Sequence, residues 1–273
     1  MKTKMGKTGM FFLIMVLLYL TIPLITTLIY SFTLNWISIL PRGFTLKYYI
    51  QILSDKRFIL AVIRSVAISI IPVCMTSLFV ILALYTALVY SPKLERVLEM
   101  ISMVPYTING VVLATAVLAT YAGTGTIFAN RFVMLISIYC VGGLPITFRA
   151  IRNNMYAVNI KQLIDAAEIL GAGRLYAFGR IVVPCMVSGI MVSMLMCMAG
   201  IFGDYATVRI IAGSIYETTQ LYLFATRNQP IQISSAVLVV MIIITLSVAL
   251  SALYIQMKDQ DRSSKHQEAD IGE

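Results

Sequence analysis

The sequence predicts an all-α membrane protein with six transmembrane helices. The first observation behind this is composition: 59% of residues are hydrophobic, 12% are charged, and mean hydropathy is +0.88. Soluble domains carry roughly twice that share of charge. The second is punctuation. Long apolar runs alternate with short polar stretches, and 273 residues hold about six runs of the ~20 residues that one crossing needs. Residues 1–273 therefore read as a single transmembrane domain.

The first apolar run, Gly9 to about Tyr30, follows Lys2, Lys4 and Lys7. It is too long for the core of a secretion signal, and no small-x-small cleavage pattern follows it. It reads as span one, entering from the cytoplasm, with Pro23 as a kink that neighbouring helices relieve. Residues 31–57, which include Pro41 and Gly43, are mixed. They read as an external loop with an interfacial helix anchored by Trp36, Tyr48 and Tyr49. Span two runs from about Phe58 to Leu88, with Arg64 snorkelling near its outer end. Tyr90 to Arg96 is a short inner loop. Span three, about Leu98 to Tyr121, is interrupted in its inner half by Pro105, Asn109 and Gly110. The interruption fits a close-packing site for small residues and a kink lining a path equally well. Gly123 to Arg131 is an outer turn. Span four covers Phe132 to about Phe148, and Arg149 and Arg152 begin an inner loop.

The stretch from Asn159 to Ile190 mixes charge with apolar residues. Asn159 caps a short helix, and Gln162 stands close to capping-box spacing. Ile160, Leu163, Ile164, Ala167 and Leu170 fall three and four apart and form one stripe. Lys161, Asp165 and Glu168 occupy another face. Gly171 supplies a left-handed stop. A second short helix places Leu175, Phe178, Ile181 and Val182 on one side, with Arg174 and Arg180 off it. Pro184 closes the unit and suits the first turn of the next helix.

Span five, Pro184 to about Phe202, is rich in methionine, which reads as adaptable packing. The methionines do not share one face. Gly203, Asp204 and Tyr205 open an outer loop that dips back into the protein. Span six is about Ile233 to Met257. Residues 258–273 are expected to be a polar cytoplasmic tail without regular structure.

The net charge of +9 reads as positive-inside orientation, not nucleic-acid binding. Lys and Arg favour the inner loops, so both termini and residues 159–184 are expected in the cytoplasm. The four cysteines all lie in apolar runs and read as small buried residues. His266, the only histidine, lies in the polar tail. No catalytic constellation and no metal site is expected.

Asp165, Ala166, Ala167, Gly171, Ile181 and Pro184 resemble, in order and spacing, the EAA loop of permease subunits of ABC-type importers. Asp165 stands where glutamate is usual, which keeps the charge on a shorter arm. The resemblance implies a type I ABC importer permease fold, with residues 159–184 as a cytoplasmic coupling loop. It assigns Asp165, Ala166, Ala167, Glu168, Gly171, Arg174 and Pro184 to coupling with an ATPase. The implied partners are a second permease subunit, two ATPase subunits, an extracytoplasmic substrate-binding protein and membrane lipid, in the inner membrane of a bacterium. No P-loop occurs in the chain, so ATP and Mg are expected on the partner ATPase and this chain is not an enzyme.

The stretches VPYTINGVVLA and FGDYATVRIIAG resemble the polyamine, phosphonate and ferric-iron group of these permeases. A polyamine such as spermidine or putrescine is the first expectation; phosphonate, ferric iron, sulfate or sugar is the alternative. Pro105, Asn109, Gly110, Asp204 and Tyr205 are the expected path residues. Asp204 attracts a cation and Tyr205 stacks on it, or Asp204 simply pairs with Arg209. A stand-alone secondary transporter or channel is the alternative of another class. Such proteins usually carry charges in mid-span, and the central spans here carry none.

Overall fold

The computed structural model describes residues 7–35, 42–213 and 215–271. Lys2, Lys4, Trp36 and Pro41 lie outside the described residues, as does the end of the tail. Among the described residues, five helices are long and apolar enough to cross a membrane, or six if one bent pair counts as a single crossing. The chain divides into two units.

The first unit is Met1–Ala61 with Tyr222–Ile244. Its α1 (Lys7–Phe32) is apolar around its circumference and continues through Pro23. A two-stranded ribbon follows, β1 (Thr33–Asn35) antiparallel to β2 (Arg42–Phe44), with Thr33 opposite Phe44 and Asn35 opposite Arg42. Such short strands carry too little alternation to be read from sequence. Gly43, at φ +71°, supplies the left-handed residue that β2 needs. The interfacial helix is α2 (Lys47–Ser54). Its tyrosines do more than anchor it. Tyr49 donates to Ser31 Oγ at 2.7 Å, and Tyr48 donates to the Leu34 carbonyl at 3.1 Å. The first ties α2 to the last turn of α1, and the second ties it to β1.

The second unit is Val62–Leu221 with Thr245–Glu273. Its first helix is most of α3 (Lys56–Tyr90). Near the end expected to be outer, Arg64 does not snorkel alone: its guanidinium lies 5.1 Å over the Tyr216 ring. The expected inner loop Tyr90–Arg96 shrinks to a break at Ser91, because Pro92 at the first helical position starts α4 (Pro92–Thr107) at once. Pro105 has no N–H, and Ile108 and Asn109 are extended. Asn109 Oδ1 then accepts from the Val111 N–H at 2.9 Å and restarts the chain as α5 (Gly110–Tyr121). The two halves are bent by 90°.

Asn130 caps α6 (Arg131–Ala157) in the same way, its Oδ1 2.9 Å from the Phe132 N–H. This helix passes through Gly142, Gly143 and Pro145 and past the expected end at Phe148, so Arg149 and Arg152 are helical. Packing overrides the weak propensity: Leu135, Ile138, Phe148, Ile151 and Met155 are all buried along it. After the loop treated below comes α9 (Val183–Phe202), which packs on α6. A Cβ on Gly189 would sit 1.8 Å from Asn154 Oδ1, so only glycine fits this crossing. Then come α10 (Ala206–Ile211), α11 (Thr219–Ala225) and α12 (Ile231–Ile271). α12 runs through most of the tail that was expected to lack regular structure. It contains neither Gly nor Pro, so nothing in it stops the helix.

Two apolar cores hold this unit. One joins Leu84 and Leu88 of α3 with Ile151 and Met155 of α6 and with Ile160, Ile164, Phe178 and Val182 of the loop. The other joins Ile68 with Ala114, Leu135, Ile138, Val208 and Ile211. All four cysteines are free, and only Cys197 is buried; Cys74 and Cys185 are exposed. Their expected burial fails because a spanning helix presents apolar residues outward to lipid as readily as inward.

Candidate functional site: a loop and a cavity in one unit

The loop begins with Asn159 at φ 50°, the only described non-glycine residue with positive φ. Its side chain makes no cap hydrogen bond, so the expected capping box is absent. A left-handed residue turns the chain sharply out of α6, and Asn tolerates that conformation better than most. α7 (Ile160–Ile169) then lays Ile160, Ile164 and Ala167 into the first core.

The end of α7 follows from hydrogen bonding. The Gly171 N–H donates to the Glu168 carbonyl and the Ala172 N–H to the Ala167 carbonyl, both at 2.9 Å. Together with Gly171 at φ +83°, these two bonds form a Schellman turn. Across it, Arg174 donates to both Glu168 carboxylate oxygens. That guanidinium holds the Glu168 carboxyl below its ordinary range. The turn is therefore fixed twice, by backbone and by charge.

The second short helix is α8 (Arg174–Ala177), and it does not stop before span five. A π-helical segment, Phe178–Val182, leads without a break into α9. The expected boundary at Pro184 is replaced by one at Gly173. Pro184 has no N–H for the carbonyl one turn back, and its ring crowds that carbonyl. The wider π turn just before it absorbs the mismatch.

The apolar stripe divides. Leu170 was expected on the buried face, but it and Ile169 are each 87% exposed. Leu175, expected to share a face with Phe178 and Val182, is exposed beside Tyr176, while Phe178 and Val182 are buried. The tip of the loop thus presents Ile169, Leu170, Leu175 and Tyr176 to solvent on a fixed turn. Asp165 and Ala166 are exposed on α7, and Ala167 is buried. Asp165 borders a hollow of about 210 Å³ with Lys161, Arg174 and the end of α3.

The second place is a cavity of about 430 Å³ between the α4–α5 bend, α6, α9 and the start of α10. Pro105, Tyr106 and Ile108 line it from the bend, and Gly110, Gly142, Gly143 and Gly200 leave room in its walls. Among the described residues, Asp204 is the one acidic or basic residue in the lining. Tyr139 donates to Asp204 Oδ2 at 3.1 Å, and the Thr207 N–H donates to Oδ1 at 3.3 Å. These partners, not Arg209, fix the carboxylate. A carboxylate has about four acceptor positions, so two remain for a further donor.

Of the residues expected here, Pro105, Gly110 and Asp204 line the cavity and Asn109 and Tyr205 do not. Asn109 is occupied as the cap of α5, and Tyr205 packs on the second core. Tyr106, Tyr139 and Thr207 were not anticipated. Tyr139 carries a readable signal: a phenol in mid-span, one turn from paired glycines, needs a partner and has space beside it.

A family model described as "Binding-protein-dependent transport system inner membrane component" matches residues 79–259, a span that contains the first core, the loop, the cavity and all of the second core but Ile68. No curated protein matches the sequence. Among solved structures, the chain is similar to a bacterial ABC transporter involved in the import of the acidic polysaccharide alginate. The TM-score is 0.61 at 16% identity, covering 90% of this chain and 92% of that one. It is also similar to a bacterial alginate ABC transporter in complex with alginate pentasaccharide-bound periplasmic protein, at TM-score 0.58 and 16% identity, covering 90% and 91%. At such identity the likeness carries the fold. With the family matched over most of its length, the chain belongs to the inner membrane components of binding-protein-dependent transport systems, the permease subunits of ABC importers.

Proposed function

We propose that this permease crosses the bacterial inner membrane six times, the bent α4–α5 pair forming one crossing, with both termini and the loop in the cytoplasm. It pairs with a second permease subunit above two ATPase subunits and receives a small solute from an extracytoplasmic binding protein. Residues 159–184 couple the two activities. The observation that carries this is the loop tip. Ile169, Leu170, Leu175 and Tyr176 are exposed on a turn fixed by a Schellman motif and an ion pair. An apolar cluster held rigidly outside the bilayer is an interface awaiting a partner.

The cavity is this subunit's share of the path. Its lone carboxylate, with no cation among the described lining residues and Tyr139 and Tyr106 in the same lining, suits a small organic cation. A polyamine such as spermidine is the preferred solute.

One preparation tests both parts: the chain purified with its partner subunits and reconstituted. Leu170→Asp with Leu175→Asp should release the ATPase while the permease stays inserted. Full retention of the ATPase removes the loop tip from the interface. Asp204→Asn should reduce spermidine uptake most at low ionic strength, because exposed charges are screened over ~10 Å at 0.1 M salt. Unchanged uptake at every salt concentration rejects the cation path and turns attention to a neutral solute such as a sugar.

A further inference from the structure

The coupling loop and the cavity are joined by a row of polar contacts that neither site uses. Along α4, Glu95, Glu99 and Met103 stand four apart on one face. Along α6, Tyr156, Arg152 and Arg149 face them in the opposite order. Tyr156 donates to Glu95 Oε1 at 2.7 Å, and Arg152 Nε donates to the same oxygen at 2.7 Å. Arg152 Nη1 reaches Glu99 Oε1 at 3.2 Å, and Arg149 Nη2 reaches Met103 Sδ at 3.1 Å. The next turn of α4 carries Pro105 and Tyr106 into the cavity wall, which Ile146 of α6 also lines. The row ends where the cavity begins.

At its other end the row starts at the loop. The Asn159 N–H donates to the Tyr156 carbonyl at 3.0 Å, closing the turn that sends the chain into α7. Tyr156 therefore holds the root of the loop with its backbone and α4 with its hydroxyl. α4 is joined to α5 through extended Ile108 and Asn109, with Pro105 leaving one carbonyl of its last turn without the usual amide, a break that can serve as a hinge. α5 is held separately, in the second core with α6 and α10.

We propose that Glu95, Glu99, Arg149, Arg152 and Tyr156 form a ladder that makes α4 move with the root of the coupling loop. A displacement of α7 is then delivered to Pro105 and Tyr106 at the cavity, with the hinge at Ile108–Asn109. Arg152, which bridges both glutamates, is the central positioning residue. An apolar contact would let one helix slide along the other. Paired charges in fixed register do not, since slipping by one turn leaves partly buried charges unpaired. The inference rests on the coupling function proposed above.

The test uses the complex with its own ATPase subunits, in a background lacking Cys74, Cys140, Cys185 and Cys197. Single reporters are placed by Gln162→Cys on α7 and Tyr106→Cys at the cavity, both exposed positions. Thiol-labelling rates are compared with and without MgATP. In the intact ladder both reporters should change rate. Arg152→Met should abolish the change at position 106 and keep it at 162, and exchanging the charges (Arg152→Glu with Glu95→Arg) should restore part of it. A residue that merely supported the fold would shift both reporters together. An undiminished response at 106 in Arg152→Met, or loss of the response at both positions, overturns the ladder alone. No response at 162 in the intact complex overturns the coupling function and the ladder with it. Should Arg152→Met fail to assemble, Glu99→Gln removes only the 3.2 Å contact. It is expected to weaken the response at 106 selectively, and an equal response there rejects the proposal.

Discussion

The loop end and the cavity end of the second unit are built by opposite means, although α6 and α9 run through both. At the loop, side chains carry charge and the turn is closed: Glu168 with Arg174, Glu95 and Glu99 with Arg152. At the cavity, Asp204 is the one charge among the described lining residues, and space comes from what is missing, the side chains of four glycines and the N–H of Pro105. The difference follows from solvent. If the loop lies outside the bilayer, as proposed, its ion pairs form at little desolvation cost. Within it, each charge is expensive, so shape is set by small residues and helix breaks. On the proposed function, the end that docks is rigid and the end that opens is hollow.

The sharpest way to break this contrast is to disturb the crossing that both ends share. Gly189 lets α9 approach Asn154 of α6 so closely that a methyl group has no room. Asn154 is held by its own bond to the Ala150 carbonyl at 2.8 Å, so it does not swing aside freely. Gly189→Ala should destabilise the permease by about 1–3 kcal/mol, the usual range for overpacking. Thermal unfolding in detergent measures it. Gly189→Ala with Asn154→Ala should recover most of the loss. If the double variant is no better than the single one, the close contact is not the cause.

How much of these two ends the sequence disclosed follows the same divide. The Schellman turn was legible because Gly171 is needed for its backbone, whatever surrounds it. The break at Pro105–Gly110 was legible for the same reason. Positions whose role depends on neighbours were not. Asn159 reads as a cap from its type, yet tertiary packing places it in the left-handed region, where it makes the bend into α7. Leu170 has the right spacing for the buried stripe, but the Schellman turn has already rotated the chain there. Arg149 and Arg152 look like the start of a loop by charge alone. They stay helical because glutamates and a thioether on α4 receive them, a pairing between residues 46 to 57 positions apart. The ribbon at Thr33 and the course of α12 past Met257 escaped for want of any strong local signal.

A smaller effect separates rigidity of the loop from its presence. At φ +83° with open space around it, Gly171 is constrained by its backbone and not by a neighbour. Gly171→Val should therefore cost about 1 kcal/mol or more in the turn, and more than Gly171→Asn, since Asn visits that region. Insertion should survive, because the turn lies outside the cores. Coupling should not: stimulation of ATP hydrolysis by the loaded binding protein should fall while the ATPase stays attached. Normal stimulation in Gly171→Val would show that a rigid turn is not required.

The smallest effect belongs to the ion pair across that turn. Both side chains are well exposed, 43% for Arg174 and 37% for Glu168, so water and salt screen them. The Glu168 carboxyl is nonetheless held below its ordinary value of 4.5, chiefly by the hydrogen bonds from Arg174. A carboxyl whose value is lowered on folding contributes above its unfolded value and loses that contribution as pH falls through the lowered one. At neutral pH the tether is therefore fully present, and it should loosen only in the acid range below 4.5. A spin label introduced by Ala172→Cys should report this as increased mobility on acidification, with half the change below that value. Glu168→Gln should give the loosened signal already at pH 7 and flatten the acid response, and raised salt should bring the native loop part of the way there. If the label moves equally in both proteins at pH 7, the Schellman bonds hold the turn by themselves. The contrast between a charged end and a hollow end would then rest on the Glu95–Arg152–Glu99 group alone.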